Sequence, residues 1–168
     1  MLYQAGDDWE RGTFTVAEEH RLTAFCEAVV YLIAEKACLV TQSANLQADQ
    51  TEVLLMNARG NLHTIALRIL AMKLMSEGIS ASIVAMPPSL AELTELLERA
   101  HPKCIMISMA LAEHSENVKG FARSVSEMPG TFRPRIIVGG YAVKSGLVTE
   151  IPGADLMADI SSLENLAM

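Results

Sequence analysis

Aromatic side chains are scarce in this sequence: one Trp, three Tyr and four Phe make up 5% of 168 residues. Ten Met stand among the 51% of residues that are apolar, so the interior is aliphatic and adaptable, a composition suited to closing around a large apolar ligand. Positive charge is also short. Thirteen Lys and Arg face twenty Asp and Glu for a formal charge of -7, and residues 1–50 alone hold 3 basic against 8 acidic side chains. Binding of nucleic acid through phosphate neutralisation is therefore not expected. Cysteine is limited to Cys26, Cys38 and Cys104, with no CxxC pair. That odd, scattered set excludes a disulfide scaffold and points to reduced thiols in the cytoplasm. Apolar runs such as Ala28 to Ala34 fall far short of the roughly 20 residues of a membrane span, and the start carries Asp7 and Asp8, not a basic signal region. The expectation is a cytoplasmic protein without membrane contact.

The sequence does hold a clear succession of elements. Thr15 followed by Glu18 has capping-box spacing, and Leu22, Phe25, Val29, Leu32 and Ile33 recur at helical intervals, which predicts a helix from about Val16 to Ala37. The polar, aperiodic stretch from Thr41 to Gln50 reads as a linker. Beyond it, β-rich runs at Val53 to Met56, Ala81 to Ala85, Cys104 to Ser108 and Arg135 to Val138, with a weaker one at Asp155 to Ala158, alternate with helical stretches at Thr64 to Ser76, Leu90 to Ala100 and Glu116 to Glu127. Ser89 and Glu92 form a second capping box. The strands are continuously apolar, as expected when helices cover both faces of a parallel sheet. The fold class is therefore α/β: a doubly wound parallel sheet, Rossmann or flavodoxin-like, over residues 51–168, preceded by a short helical cap over residues 1–50.

Ligands of such sheets bind at the carboxyl ends of the strands. The loop after the first strand lacks both GxGxxG and GxxxxGK[ST], so the usual phosphate cradles are absent. It offers His63 instead, an imidazole able to bind a metal, with Asn61 two residues earlier to orient the ring through a hydrogen bond. Ser108 and Ala110 follow the third strand, and Gly139 and Gly140 end the fourth. Small residues there admit a bulky ligand close to the backbone. Ser/His/Asp, Cys/His and paired-carboxylate arrangements are missing from these loops, so the chain is not expected to be an enzyme. His101, ahead of Pro102, reads as a solvated helix-end residue, and His114 as peripheral to the ligand. Met56, Met86, Met106 and Met109 cluster near strand ends and read as core.

Residues 52–168 resemble the cobalamin-binding Rossmann domain of methionine synthase, methylmalonyl-CoA mutase, corrinoid carriers and B12-dependent photoreceptors. That family carries Asp-x-His-x-x-Gly after its first strand, a Ser at the end of the third and Gly-Gly at the end of the fourth. The matching positions are Asn61, His63 and Ala66, then Ser108, then Gly139 and Gly140. The resemblance implies that His63 is the lower axial ligand to cobalt, with the cofactor's nucleotide tail passing Ser108 and the glycines. Asn61 replaces the family's acid, so it adds no negative charge to strengthen ligation. Ala66 replaces the Gly that gives the tail room, which shifts preference toward a tail-less tetrapyrrole.

Trp9, nine intervening residues and Glu19-His20 are similar to the Wx9EH signature of the CarH-like adenosylcobalamin photoreceptors. By that resemblance Trp9 packs over the upper ligand while Glu19 and His20 contact its adenosyl group. An indole is a large rigid lid, and a carboxylate and an imidazole can bond ribose hydroxyls. Glu10 stands where those photoreceptors have a second cobalt-capturing His, and a hard carboxylate suits cobalt less well. The expectation is a light- or cofactor-sensing regulator, similar to the AerR-like antirepressors, that binds adenosylcobalamin. It acts through a protein partner, a transcription factor, with self-association through the apolar helix face. The alternatives are a haem- or bilin-binding (biliverdin) sensor on the same fold and a corrinoid carrier subunit of a methyltransferase system.

Overall fold

The computed structural model describes residues 11–41, 51–61, 63–84, 87–128 and 132–160. The chain divides into two compact units, residues 1–43 and 44–168. The first contains helix α1 (Val16–Thr41). Its start is the expected capping box: the Thr15 amide donates to Glu18 Oε2 at 2.9 Å and the Glu18 amide to Thr15 Oγ1 at 3.3 Å. The helix runs four residues past the expected end, because Cys38, Leu39 and Val40 bring neither Gly nor Pro to stop it. Most of the proposed linker, residues 42–50, lies outside the described residues. Phe25, Leu32 and Ile33 on α1 are exposed, as are Val29 and Tyr31.

The second unit runs β1 (Val53–Asn57), α2 (Ile65–Ser76), β2 (Ala81–Val84), α3 (Leu90–Ala100), β3 (Cys104–Ser108), a 3-10 turn (Ala112–His114), α4 (Ser115–Glu127), β4 (Arg135–Gly139), the short helix α5 (Tyr141–Lys144) and β5 (Asp155–Met157). All strand pairs are parallel, in the order β2-β1-β3-β4-β5. That is the flavodoxin-like member of the doubly wound class, and its topological switch point lies between β1 and β3.

Alternate residues of the central strands feed two cores, one on each face. Leu54, Met56, Ile105, Ile107 and Val138 pack with Leu93, Val118 and Val125 of α3 and α4. Val53, Leu55, Met106 and Ile137 pack with Leu67 and Leu74 of α2. Burial on both faces is why these strands read as unbroken apolar runs. Cys104 lies in the second core as a free thiol, and burial pushes its pKa up to about 11. The Ser89–Glu92 capping box starts α3, with the Ser89 amide donating to Glu92 Oε2 at 2.8 Å. His101 ends it in the left-handed conformation, exposed and edge-on to Phe132 at 5.1 Å, as a helix-end residue should be. Met56, Met106 and Met109 are core residues, while Met86 lies outside the described residues. Among the described residues no helix is long and apolar enough to cross a membrane.

Candidate functional site at the carboxyl edge

The strand register sets Asn57, Ser108 and Gly139 side by side across β1, β3 and β4, where each strand ends. Asn61 reaches back to this row from the β1–α2 loop. Its Nδ2 donates to the Ser108 carbonyl at 3.1 Å and to Asn57 Oδ1 at 3.3 Å, and its Oδ1 accepts from the His63 amide at 3.2 Å. Asn57 Nδ2 in turn donates to the His63 carbonyl at 3.2 Å. Chemistry fixes both amide orientations: a carbonyl can only accept and a backbone N–H can only donate, so neither Asn can be flipped. Both side chains are buried, Asn57 to 1% exposure and Asn61 to 6%, and such groups are expensive to leave unpaired.

The two amides therefore clamp the backbone of His63 from both sides. Asn61, expected to orient the imidazole ring, bonds the His63 backbone here: its oxygen accepts from the His63 amide and its nitrogen donates to Ser108 and Asn57. The ring itself stands exposed beyond β1. An aspartate at position 61 would set a carboxylate oxygen against the Ser108 carbonyl, so the asparagine matches its local partners.

Gly139 and Gly140 have a structural reason beyond leaving room for a ligand. The Met109 amide donates to the Gly139 carbonyl at 2.8 Å, and Gly140 has φ +105°. A Cβ on Gly140 would lie 2.5 Å from the Met109 carbonyl oxygen. The pair thus lets the loops after β3 and β4 cross in contact. Ser108 contributes its carbonyl, which accepts from both the Ala58 amide at 2.9 Å and Asn61. Its side chain and that of Ala110 are half-buried at the same edge, and Ala66 is exposed on the first turn of α2. Asn61, His63, Ser108, Ala110, Gly139 and Gly140 are thus brought to one edge. Glu19 and His20 lie on α1 in the other unit, and Trp9 lies outside the described residues.

Two contributors escaped the reading of the sequence. Asn57 was legible as the single polar residue closing an apolar strand. His114, expected to be peripheral, is buried in the 3-10 turn against Gly60, where a Cβ would lie 3.2 Å from its Nε2. It braces the loop three residues before His63, and its Nδ1 has no hydrogen-bond partner among the described residues.

No protein-family model matches the chain, and no curated protein does. Solved structures do. The monomethylamine corrinoid protein of Methanosarcina barkeri superposes with a TM-score of 0.74 at 12% identity, over 99% of this chain and 76% of that one. A novel cobalamin-binding protein from Desulfitobacterium hafniense DCB-2 gives 0.61 at 11% identity, over 98% of this chain and 75% of that one. The fold is that of cobalamin-binding proteins. The methanol:cobalamin methyltransferase complex MtaBC of Methanosarcina barkeri gives a TM-score of 0.52 at 14% identity, over 98% of this chain and 62% of the matched chain. In this cobalamin-binding fold, the edge described above is where a doubly wound sheet receives its ligand.

Proposed function

We propose that this chain binds cobalamin at the carboxyl edge of its sheet, with His63 as the lower axial ligand. One observation carries the reading: a single exposed imidazole, its backbone clamped by two buried amides, stands at the switch point of the sheet. Among the described residues no group of three or more His, Cys, Asp or Glu could hold a metal ion. One imidazole with no co-ligand among the described residues suits a metal that arrives with most of its positions already filled by a macrocycle. A bound corrinoid would supply the chemistry of a cobalt–carbon bond. The chain's own part is to hold: Asn57 and Asn61 fix the His63 backbone, His114 braces the loop from below, and Ser108, Ala110 and Gly139 keep the edge low enough for a flat ligand.

The role we propose is regulatory, with adenosylcobalamin as ligand and a protein partner, a transcription factor, as target. The sequence pattern of Trp9, Glu19 and His20, which resembles the Wx9EH signature of the adenosylcobalamin photoreceptors, supports it. So does the exposed apolar surface of α1 at Phe25, Leu32 and Ile33, which favours association through this helix. In this antirepressor-like scheme, loss of the contacts to a bound upper ligand would release α1 as a two-state element for the partner to read. The net charge of -7 favours a protein target over DNA. A second reading, a corrinoid carrier in methyl transfer, is favoured by two of the structural relatives, a corrinoid protein and a methyltransferase complex.

Incubating the full chain separately with adenosylcobalamin, methylcobalamin, haemin and biliverdin, then desalting and recording absorption, tests the reading. The expected result is retention of the cobalamins with a histidine-ligated spectrum that His63→Ala abolishes. Retention of haemin or biliverdin alone contradicts it. Illumination of the adenosylcobalamin form that changes its mass by light scattering supports the sensor, whereas methyl transfer from the methylcobalamin form supports the carrier.

A further inference from the structure

The sheet face opposite α2 carries a cleft of about 250 Å3 at the same carboxyl edge. It opens between α3 and α4, above the ends of β1 and β3, and His63 does not line it. Its floor is apolar: Met56, Leu93, Ile107, Val118 and Phe121. Pro87 and Pro88 form a stiff wall. The polar lining is Asn57, Arg59, Asn117 and Ser124, with no carboxylate among the lining residues.

The chemistry of these polar groups is uneven. Asn57, 1% exposed, has one amide N–H on the His63 carbonyl and its oxygen on Asn61. The Ser124 hydroxyl donates to the Gly120 carbonyl at 3.0 Å, which leaves its oxygen able only to accept. Arg59 and Asn117 keep their capacity: among the described residues neither has an ion pair or side-chain hydrogen bond. The cleft thus sets one unpaired guanidinium at the rim of an apolar trough, in a chain whose net charge is -7. An unpaired fork of N–H donors beside flat apolar walls matches a carboxylate attached to a planar body. The volume lies just below the ~300–1,000 Å3 of pockets for drug-sized ligands, which limits the occupant to a small molecule.

We propose that this cleft, on the sheet face opposite α2 and not lined by His63, is a second binding site for a small aromatic carboxylate. The carboxylate pairs with Arg59, Asn117 donates a further hydrogen bond, and the ring lies between Phe121 and the Pro87–Pro88 wall. The proposal does not rest on the corrinoid reading, and the two fail independently, because its probe and readout involve no pigment.

The test is a titration of the 15N-labelled full chain at constant ionic strength with benzoate, its neutral isostere benzamide, and inorganic phosphate, followed by amide chemical shifts. Benzoate is expected to give saturable shifts at Asn57, Arg59, Asn117 and Phe121. Benzamide and phosphate are each expected to bind roughly tenfold more weakly or less, the usual scale of a charge-assisted pair. Arg59→Gln, a change at an exposed residue, is expected to bring benzoate down to the level of benzamide. Absence of saturable shifts overturns the proposal. So does equal binding of benzoate and benzamide, equal binding of benzoate and phosphate, or benzoate binding unaltered by Arg59→Gln.

Discussion

The two edges of the sheet are held by different chemistry. At the amino edge the strands are tied by ion pairs in solvent: Lys103 Nζ to Glu52 Oε1 at 2.7 Å beside β1 and β3, and Arg135 Nε to Asp155 Oδ2 at 2.7 Å between β4 and β5. At the carboxyl edge no described side-chain contact between β1, β3 and β4 is ionic; there the ties are the Asn57–Asn61 amides and the Gly139–Gly140 crossing. Exposed ion pairs contribute little and tolerate change, whereas buried amide networks and close backbone crossings tolerate almost none. The edge at which His63 stands is built from the stiffer material.

Substitutions at the two edges should differ in cost accordingly. The largest effect is expected from Gly140→Ala. It places a Cβ 2.5 Å from the Met109 carbonyl oxygen at φ +105°, so strain and overpacking together should cost about 3–5 kcal/mol in urea unfolding. Asn61→Asp comes next. At neutral pH the carboxylate faces the Ser108 carbonyl in a buried position and should cost about 2–3 kcal/mol. Only the protonated acid can donate to that carbonyl, so its native state takes up a proton more readily than the unfolded chain. The deficit relative to the parent should therefore shrink as pH is lowered, in unfolding curves measured from pH 7 down to 4.

The amino edge should respond least. Lys103→Ala removes a partner of Glu52, whose pKa is lowered chiefly by the hydrogen bond from Lys103. A depressed carboxyl pKa gives stability that is present above the unfolded value and lost as pH falls through the folded one. The variant should be at most about 1 kcal/mol weaker at pH 7, and indistinguishable from the parent once Glu52 is protonated in both. A Lys103→Ala loss as large as that of Asn61→Asp would erase the distinction between the edges.

Much of this architecture is legible in the sequence for a local reason. The strands β1, β3 and β4 are unbroken apolar runs because α2 covers one face and α3 and α4 the other, and the capping boxes at Thr15 and Ser89 depend on residues three apart. His63 and the Gly-Gly pair were likewise readable as residues at strand ends. What stayed hidden was long-range. That Asn61 answers to the Ser108 carbonyl, forty-seven positions away, cannot be seen from a loop that reads equally well as a ring-orienting pair. The packing of His114 on Gly60 leaves no periodic trace either. Strand order, which singles out the β1/β3 switch point, follows from how the crossovers choose sides and not from any one segment.

Whether the carboxyl edge presents His63 to a cobalt ion is read from the nitrogen bound to the metal. The full chain, grown with 15N-histidine, is loaded with cobalamin and reduced to the cobalt(II) form for electron paramagnetic resonance. If a histidine nitrogen is bound, the superhyperfine pattern changes from the triplet of 14N to the doublet of 15N, and His63→Ala removes the labelled coupling altogether. A triplet that persists with labelled histidine, or a doublet that survives His63→Ala, contradicts the assignment.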